Sequence, residues 1–236
     1  MSDLAFRFKE FSVEHSRSSM KVGVDGVLIG AWSSVEGESG LDIGCGCGLI
    51  ALMAVQRNPR ASILGIDIDK KSVDESARNF ADSPWDSRLK AECKDFRDFA
   101  FCEENEAEFD FVVSNPPFFT SGVTDPQTPR EKARHMSALS LAMLIKGSER
   151  LLAQGGTLSV ILPYDKFAEI KAVKELALER LCFVVNKPGA KFKRIMAQFR
   201  KGEAKQLTEE LLYIRDEEGN YSEKYKALTS DFYLNF

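Results

Sequence analysis

Cysteine, histidine and long apolar runs are what this 236-residue sequence has least of. Its five cysteines are odd in number and include no CxxC pair, which excludes a disulfide framework and a zinc site of ordinary ligand spacing. Cys45 and Cys47 stand two apart inside a glycine-rich turn, too close for structural zinc, so no metal is expected. The only histidines are His15 and His135, and without a GxSxG segment a serine-hydrolase triad has nothing to rest on. Nothing pairs either histidine with a nucleophile, and both read as ordinary. No apolar run approaches the ~20 residues that cross a bilayer. The opening MSDLAFRFKEF is too charged for a signal peptide. A protein of the reducing cytoplasm, with no membrane partner, fits these absences.

An excess of positive charge is also missing. The net charge of −4 argues against a uniformly basic nucleic-acid binder, yet residues 187–205 carry seven lysines and arginines against Glu203 alone, a local charge of +6. That segment is either a solvated strand with a charged loop or a phosphate-binding patch. No repeat, low-complexity tract or Pro/Gly/Ser-rich linker marks a domain boundary, so the chain is expected to form one domain. A monomer is favoured, with the oligomeric state otherwise open.

Short apolar runs alternate with segments of helical period. GLDIG (40–44), ASILGIDI (61–68), RLKAEC (88–93), FDFVVS (109–114) and GTLSVILP (156–163) predict strands buried on both faces. Between them, residues 49–57, 70–81 and 138–152 predict helices. That rhythm implies right-handed crossovers and a parallel sheet covered on both sides. The tail differs: CFVVNK (182–187), FKRIMAQFR (192–200) and ELLYIRD (210–216) read as strands without full crossover helices, so an antiparallel pair should complete the sheet. Residues 1–35 form an extension ahead of a 40–165 core, and residues 180–216 supply the C-terminal strands. Within the extension, FRFKEFSV (6–13) alternates like one strand and DGVLIGAW (25–32) reads as a short helix.

LDIGCGCG closes the first buried strand with Gly44, Gly46 and Gly48, letting the backbone turn tightly and approach a ligand. A nicotinamide fingerprint needs a third glycine where Leu49 stands, and Asp42 two residues before Gly44 suits a ligand with a cationic amino end. Asp67 ends the second strand near the offset at which a carboxylate grips ribose hydroxyls, while Asp69 reads as a helix cap. Asp95 and Phe96 follow the third strand, and SNPPFF (114–119) follows the fourth.

In order and spacing, Asp42 to Gly48, Asp67, Asp95 with Phe96, and Asn115 to Phe118 resemble the class I S-adenosylmethionine-dependent methyltransferases, and NPPF resembles those acting on planar amide-like nitrogens. The resemblance implies a Rossmann-like α/β fold: a mostly parallel seven-stranded sheet with an antiparallel C-terminal strand and helices on both faces. It implies that Asp42 and Gly44, Gly46 and Gly48 hold the methionine part of S-adenosylmethionine, Asp67 its ribose, and Asp95 with Phe96 its adenine, with S-adenosylhomocysteine as product.

An exocyclic adenine amine is a poor nucleophile because its lone pair is delocalised into the ring. Acceptors on its N–H groups draw that pair back, and two prolines offer carbonyls with no competing backbone donors. Asn115 would supply a side-chain oxygen, Pro116 a main-chain one, Pro117 the restraint that fixes its predecessor, and Phe118 a stacking face. The loop 120–135 is too short for the large insert of DNA enzymes, and the roughly 40 residues before the glycine turn are too few for the helical domain of protein-glutamine enzymes. RNA leads. FRFKEF, MKVGVDGVLIGAW and FKRIMAQFRK resemble the bacterial tRNA(Val) adenine-37 N6-methyltransferases, which implies tRNA as partner. A protein N5-glutamine methyltransferase, a ribosomal RNA adenine N6-methyltransferase and a non-catalytic cofactor-binding module stay open. Lys191, Lys193 and Arg194 are candidates for phosphate contacts, with Lys21 beside them, although Lys21 to Trp32 reads equally as a packing helix.

Overall fold

The structure, a computed structural model, describes residues 5–18, 21–116, 139–204 and 206–235. The runs rich in Val, Ile and Leu become neighbouring strands because covering both faces is the only way to bury them. They are β3 (Ser39–Ile43), β4 (Ser62–Asp67), β5 (Leu89–Cys93), β6 (Phe109–Ser114) and β7 (Leu152–Pro163), and the tail adds β8 (Ala177–Val185), β9 (Arg194–Arg200) and β10 (Thr208–Tyr213). Their order across the sheet is β10-β8-β9-β7-β6-β3-β4-β5. Only β9 runs against its neighbours, pairing antiparallel with both β7 and β8.

The sheet thus has eight strands where seven are expected. The third tail segment forms the edge strand, pairing parallel with β8, Thr208 opposite Arg180 through Tyr213 opposite Val185. Thr208, Glu209 and Glu210 stay exposed there, and charge on an edge strand discourages further pairing.

Helices α1 (Val24–Trp32), α2 (Leu49–Arg57) and α7 (Glu223–Thr229) contribute to one apolar core, where Val27, Leu52, Met53 and Tyr225 are buried. Helices α4 (Phe96–Ala100), α5 (Leu141–Leu151) and α6 (Phe167–Ala172) contribute to the other, with Phe96, Leu144 and Ile170. Helix α3 (Lys70–Ala81) links β4 to β5 and buries a polar face of Ser72, Glu75, Ser76 and Asn79. No helix among the described residues is long and apolar enough to cross a membrane.

Residues 6–13 are not one strand. They form a hairpin outside the main sheet, β1 (Ala5–Arg7) with β2 (Ser12–Glu14). The turn between them brings Phe8 and Phe11 into a stack at 4.7 Å, a gain that an extended alternating strand cannot make.

Candidate active site

Strands β4 and β5 lie on one side of β3, and β6 lies on the other, so the chain reverses direction across the sheet at β3. Ligand crevices of open α/β sheets form at the carboxyl ends of strands where this happens. The turn after β3 is fastened there, since the N–H groups of Gly44 and Cys45 both donate to the Ile66 carbonyl, at 2.8 and 3.0 Å. Gly44, Gly46 and Gly48 have φ of 71°, 55° and 82°, but they differ in purpose. A Cβ on Gly48 would stand 2.4 Å from Phe80 Cε1, whereas one on Gly44 or Gly46 would meet nothing within 4 Å. Gly48 is required by packing; the other two present bare backbone to open space.

Asp42 on β3 is buried. Its Oδ2 accepts from the Ala51 N–H at 3.2 Å, its Oδ1 has no hydrogen-bond partner, and burial pushes its pKa up to about 7. Cys45 and Cys47 beside it are neutral thiols at neutral pH, because burial pushes Cys47 up to about 11 and Cys45 well above its ordinary value.

At the next strand end, Asp67 Oδ2 accepts from the Gly46 N–H at 3.0 Å and Oδ1 from the Asp69 N–H at 2.8 Å, tying β4 to the glycine turn. Burial raises its pKa against these bonds. Asp69 caps α3 by accepting from the Lys71 N–H. Asp95 is likewise a cap, of α4, and its carboxylate is held by the Arg97 guanidinium, which keeps it below the usual carboxylate range. The Phe96 ring is buried under α5, so close that a Cβ on Gly147 would lie 2.6 Å from it.

Ser114 Oγ donates to the Ile43 carbonyl at 2.8 Å, aligning the ends of β6 and β3 and setting Asn115 beside the glycine turn. Asn115 and Pro116 line a cavity of about 520 Å³ together with Gly44, Gly46, the start of α1, Pro163 and Arg194. Lys21 lines it as well. Asp42, Asp67, Asp95, Phe96 and Gly48 are not among its lining residues. Pro117, Phe118 and His135 lie outside the described residues. His15 has a local structural task, its Nδ1 accepting from the Val22 N–H at 3.0 Å just past Lys21.

The basic segment divides. Arg194 is paired in the sheet with Pro163, at the carboxyl edge, while Arg200 is paired with Thr157, toward the opposite edge. Lys191 and Lys193 are exposed at the cavity end, and among the described residues no carboxylate pairs with either. Arg200 instead pairs with Glu179 at 2.7 Å, and Lys201 donates to the Leu152 carbonyl at 2.9 Å.

Two features escape sequence inspection. Asp25 in α1 forms an ion pair with Arg194, and Asn79 of α3 donates to both Glu14 O and Cys47 O at 2.8 Å, joining the N-terminal hairpin to the glycine turn. The polar residues Ser72, Glu75, Ser76 and Asn79 recur at helical spacing in the sequence, but nothing there shows that this face is buried. Among the described residues there is no group of three or more His, Cys, Asp or Glu side chains able to hold a metal ion.

The chain is similar to known proteins at three levels. The family model for the methyltransferase small domain matches residues 25–187. A tRNA1(Val) (adenine(37)-N6)-methyltransferase from Bacteroides fragilis (strain YCH46) is 42% identical, over 99% of each chain. Another of that name, from Yersinia enterocolitica serotype O:8 / biotype 1B, is 38% identical, over 98% of this chain and 93% of the other. In fold, a crystal structure from Agrobacterium tumefaciens described as a predicted O-methyltransferase superposes with a TM-score of 0.70, at 16% identity, covering 88% of this chain and 96% of that one. The chain belongs to the methyltransferase small-domain family and, within it, to the group whose curated members are named tRNA1(Val) (adenine(37)-N6)-methyltransferases.

Proposed function

We propose that the protein transfers a methyl group from S-adenosylmethionine to N6 of an adenine in RNA, adenine-37 of tRNA(Val), in the cytoplasm. The observation that most supports this is that Asn115 and Pro116 line the same cavity as Gly44 and Gly46, so an amine held by the first pair meets a ligand held against the second. Three features fit the methyl donor. Gly44 and Gly46 leave a cradle that side chains would fill. Asp42 keeps a buried oxygen with no partner, suited to an ammonium. Asp67 stands half-buried one strand away, suited to ribose hydroxyls. Asp95 would serve the adenine only after exchanging its bonds to Arg97, and the Phe96 ring adds an apolar floor rather than an open stacking face.

Bound S-adenosylmethionine supplies a methyl on a positively charged sulfur that leaves as a neutral thioether. The protein's share is orientation and electrostatics. Asn115 Oδ1 and the Pro116 carbonyl accept from the N6 amine, which concentrates its lone pair. Phe118 stacks on the extruded base. As the N6–methyl bond forms, the amine loses a proton to water, so no side chain need act as base. Incubation with labelled S-adenosylmethionine and either total RNA from a strain lacking the enzyme or release-factor protein tests this. Label is expected in tRNA(Val); label in protein alone would overturn the assignment.

A further inference from the structure

Beside the cavity lies a set of rings that the chemistry above leaves unused. Tyr164 directly follows Pro163, in the short helical turn after β7, and Phe192 stands two positions before Arg194, ahead of β9; Pro163 and Arg194 both line the cavity. The Tyr164 N–H donates to the Lys193 carbonyl at 3.1 Å, fixing the two segments together. Their rings stack with centroids 5.0 Å apart and planes 29° from parallel. Phe167 stacks on Tyr164 at 5.9 Å and Phe183 packs on Phe192 at 5.6 Å, so the pair is braced from below. Phe192 nevertheless stays 43% exposed.

A ring kept at the surface by other rings is a stacking face, and its surroundings select the ligand. Lys191 and Lys193 flank it, exposed and free of carboxylate partners among the described residues, while Lys166 nearby is paired with Glu169 at 2.7 Å. An aromatic face between unpaired lysines matches a nucleobase with its phosphates. Extruding the target adenine also strips a neighbour of its stacking partner, and an aromatic surface one nucleotide away offsets that loss.

We propose that the Tyr164–Phe192 stack is a platform for the nucleotide adjacent to the target adenine, with Lys191 and Lys193 on its phosphates. This rests on the RNA reading above and extends it to a positioning surface. The test uses a tRNA(Val) transcript carrying 2-aminopurine on either side of the target in turn. At one of these positions, fluorescence should be quenched on binding to the wild-type protein. Phe192→Leu keeps apolar cover over Phe183 but offers no ring, so it should relieve the quenching and raise the KM for RNA on the order of ten-fold, with a smaller change in kcat. Phe192→Tyr should restore both, and S-adenosylmethionine affinity should be the same in all three proteins. If Phe192→Leu keeps wild-type KM and quenching, or if KM follows melting temperature across the variants, the rings serve the core and the platform is overturned. A wild-type protein that labels protein but no RNA overturns platform and RNA reading together.

Discussion

Arg194 Nε donates to Asp25 Oδ2 at 2.7 Å, joining the first residue of β9 to the first turn of α1 beside the cavity. Both side chains are more than a third exposed, so the pair contributes only about 0–1 kcal/mol to stability. Its larger effect is on charge, because Asp25 neutralises a guanidinium where RNA phosphates would pass. Asp25→Ala should therefore leave the melting temperature nearly unchanged while tightening RNA binding and steepening its salt dependence by up to about one unit of slope. Arg194→Ala should weaken RNA binding. Filter binding across a salt series decides; equal slopes in both variants would remove Arg194 from the RNA path.

Lys191 and Lys193 make a cleaner probe of phosphate contact, since neither holds another element through its side chain among the described residues. Their joint replacement by Ala should raise the KM for RNA and flatten the salt slope by up to about two units, leaving cofactor affinity unchanged. Wild-type affinity and slope in that variant would mean a solvated face.

Asn115→Ala should bind S-adenosylmethionine within a few fold of wild type yet lose most turnover, because its acceptor matters as the amine becomes nucleophilic. Single-turnover rates equal to wild type would reduce the motif to a strand-ending turn.

The parallel core and the glycine turn were legible because their causes are local. Strands buried twice leave unbroken apolar runs, and a left-handed turn leaves glycines. What stayed hidden depends on chain reversal. The basic segment looks continuous in sequence, yet a seven-residue strand runs through it, so Arg194 and Lys201 lie roughly 20 Å apart at opposite ends of that strand. Asp25 and Arg194 are 169 positions apart, beyond any periodic signal. The resemblance assigns Asp95 to the adenine, and what the sequence does not show is that its carboxylate also caps α4 and is held by the Arg97 guanidinium.

Asp67 presents a choice between holding the turn and holding a ligand, and the two separate by substitution. Its oxygens accept from the Gly46 and Asp69 N–H groups, and Asp67→Asn retains an acceptor for one of them while losing the charge. Asp67→Ala should weaken S-adenosylmethionine by roughly 1–3 kcal/mol and lower the melting temperature. Asp67→Asn should lose affinity with much less effect on melting. Unchanged affinity by calorimetry in both variants would leave Asp67 a turn fastener only.

Asp42 carries the clearest pH signature. Burial holds its pKa up at about 7, so the folded chain keeps a proton that the unfolded chain, with a carboxylate near ~3.9, has released. The stabilisation is complete below about pH 4 and is lost as pH rises through about 7. Without ligand, the melting temperature should therefore fall between about pH 5 and about pH 8 by more in wild type than in Asp42→Asn, whose side chain stays neutral. An ammonium reaching the unpartnered Oδ1 reverses the preference and favours the carboxylate, so S-adenosylmethionine binding near pH 6 should release a proton. Calorimetry in two buffers of different ionisation enthalpy measures that proton directly. Asp42→Asn should bind weakly and release none. Proton release that persists in the variant would assign the coupling to another group and leave Asp42 a buried structural acid.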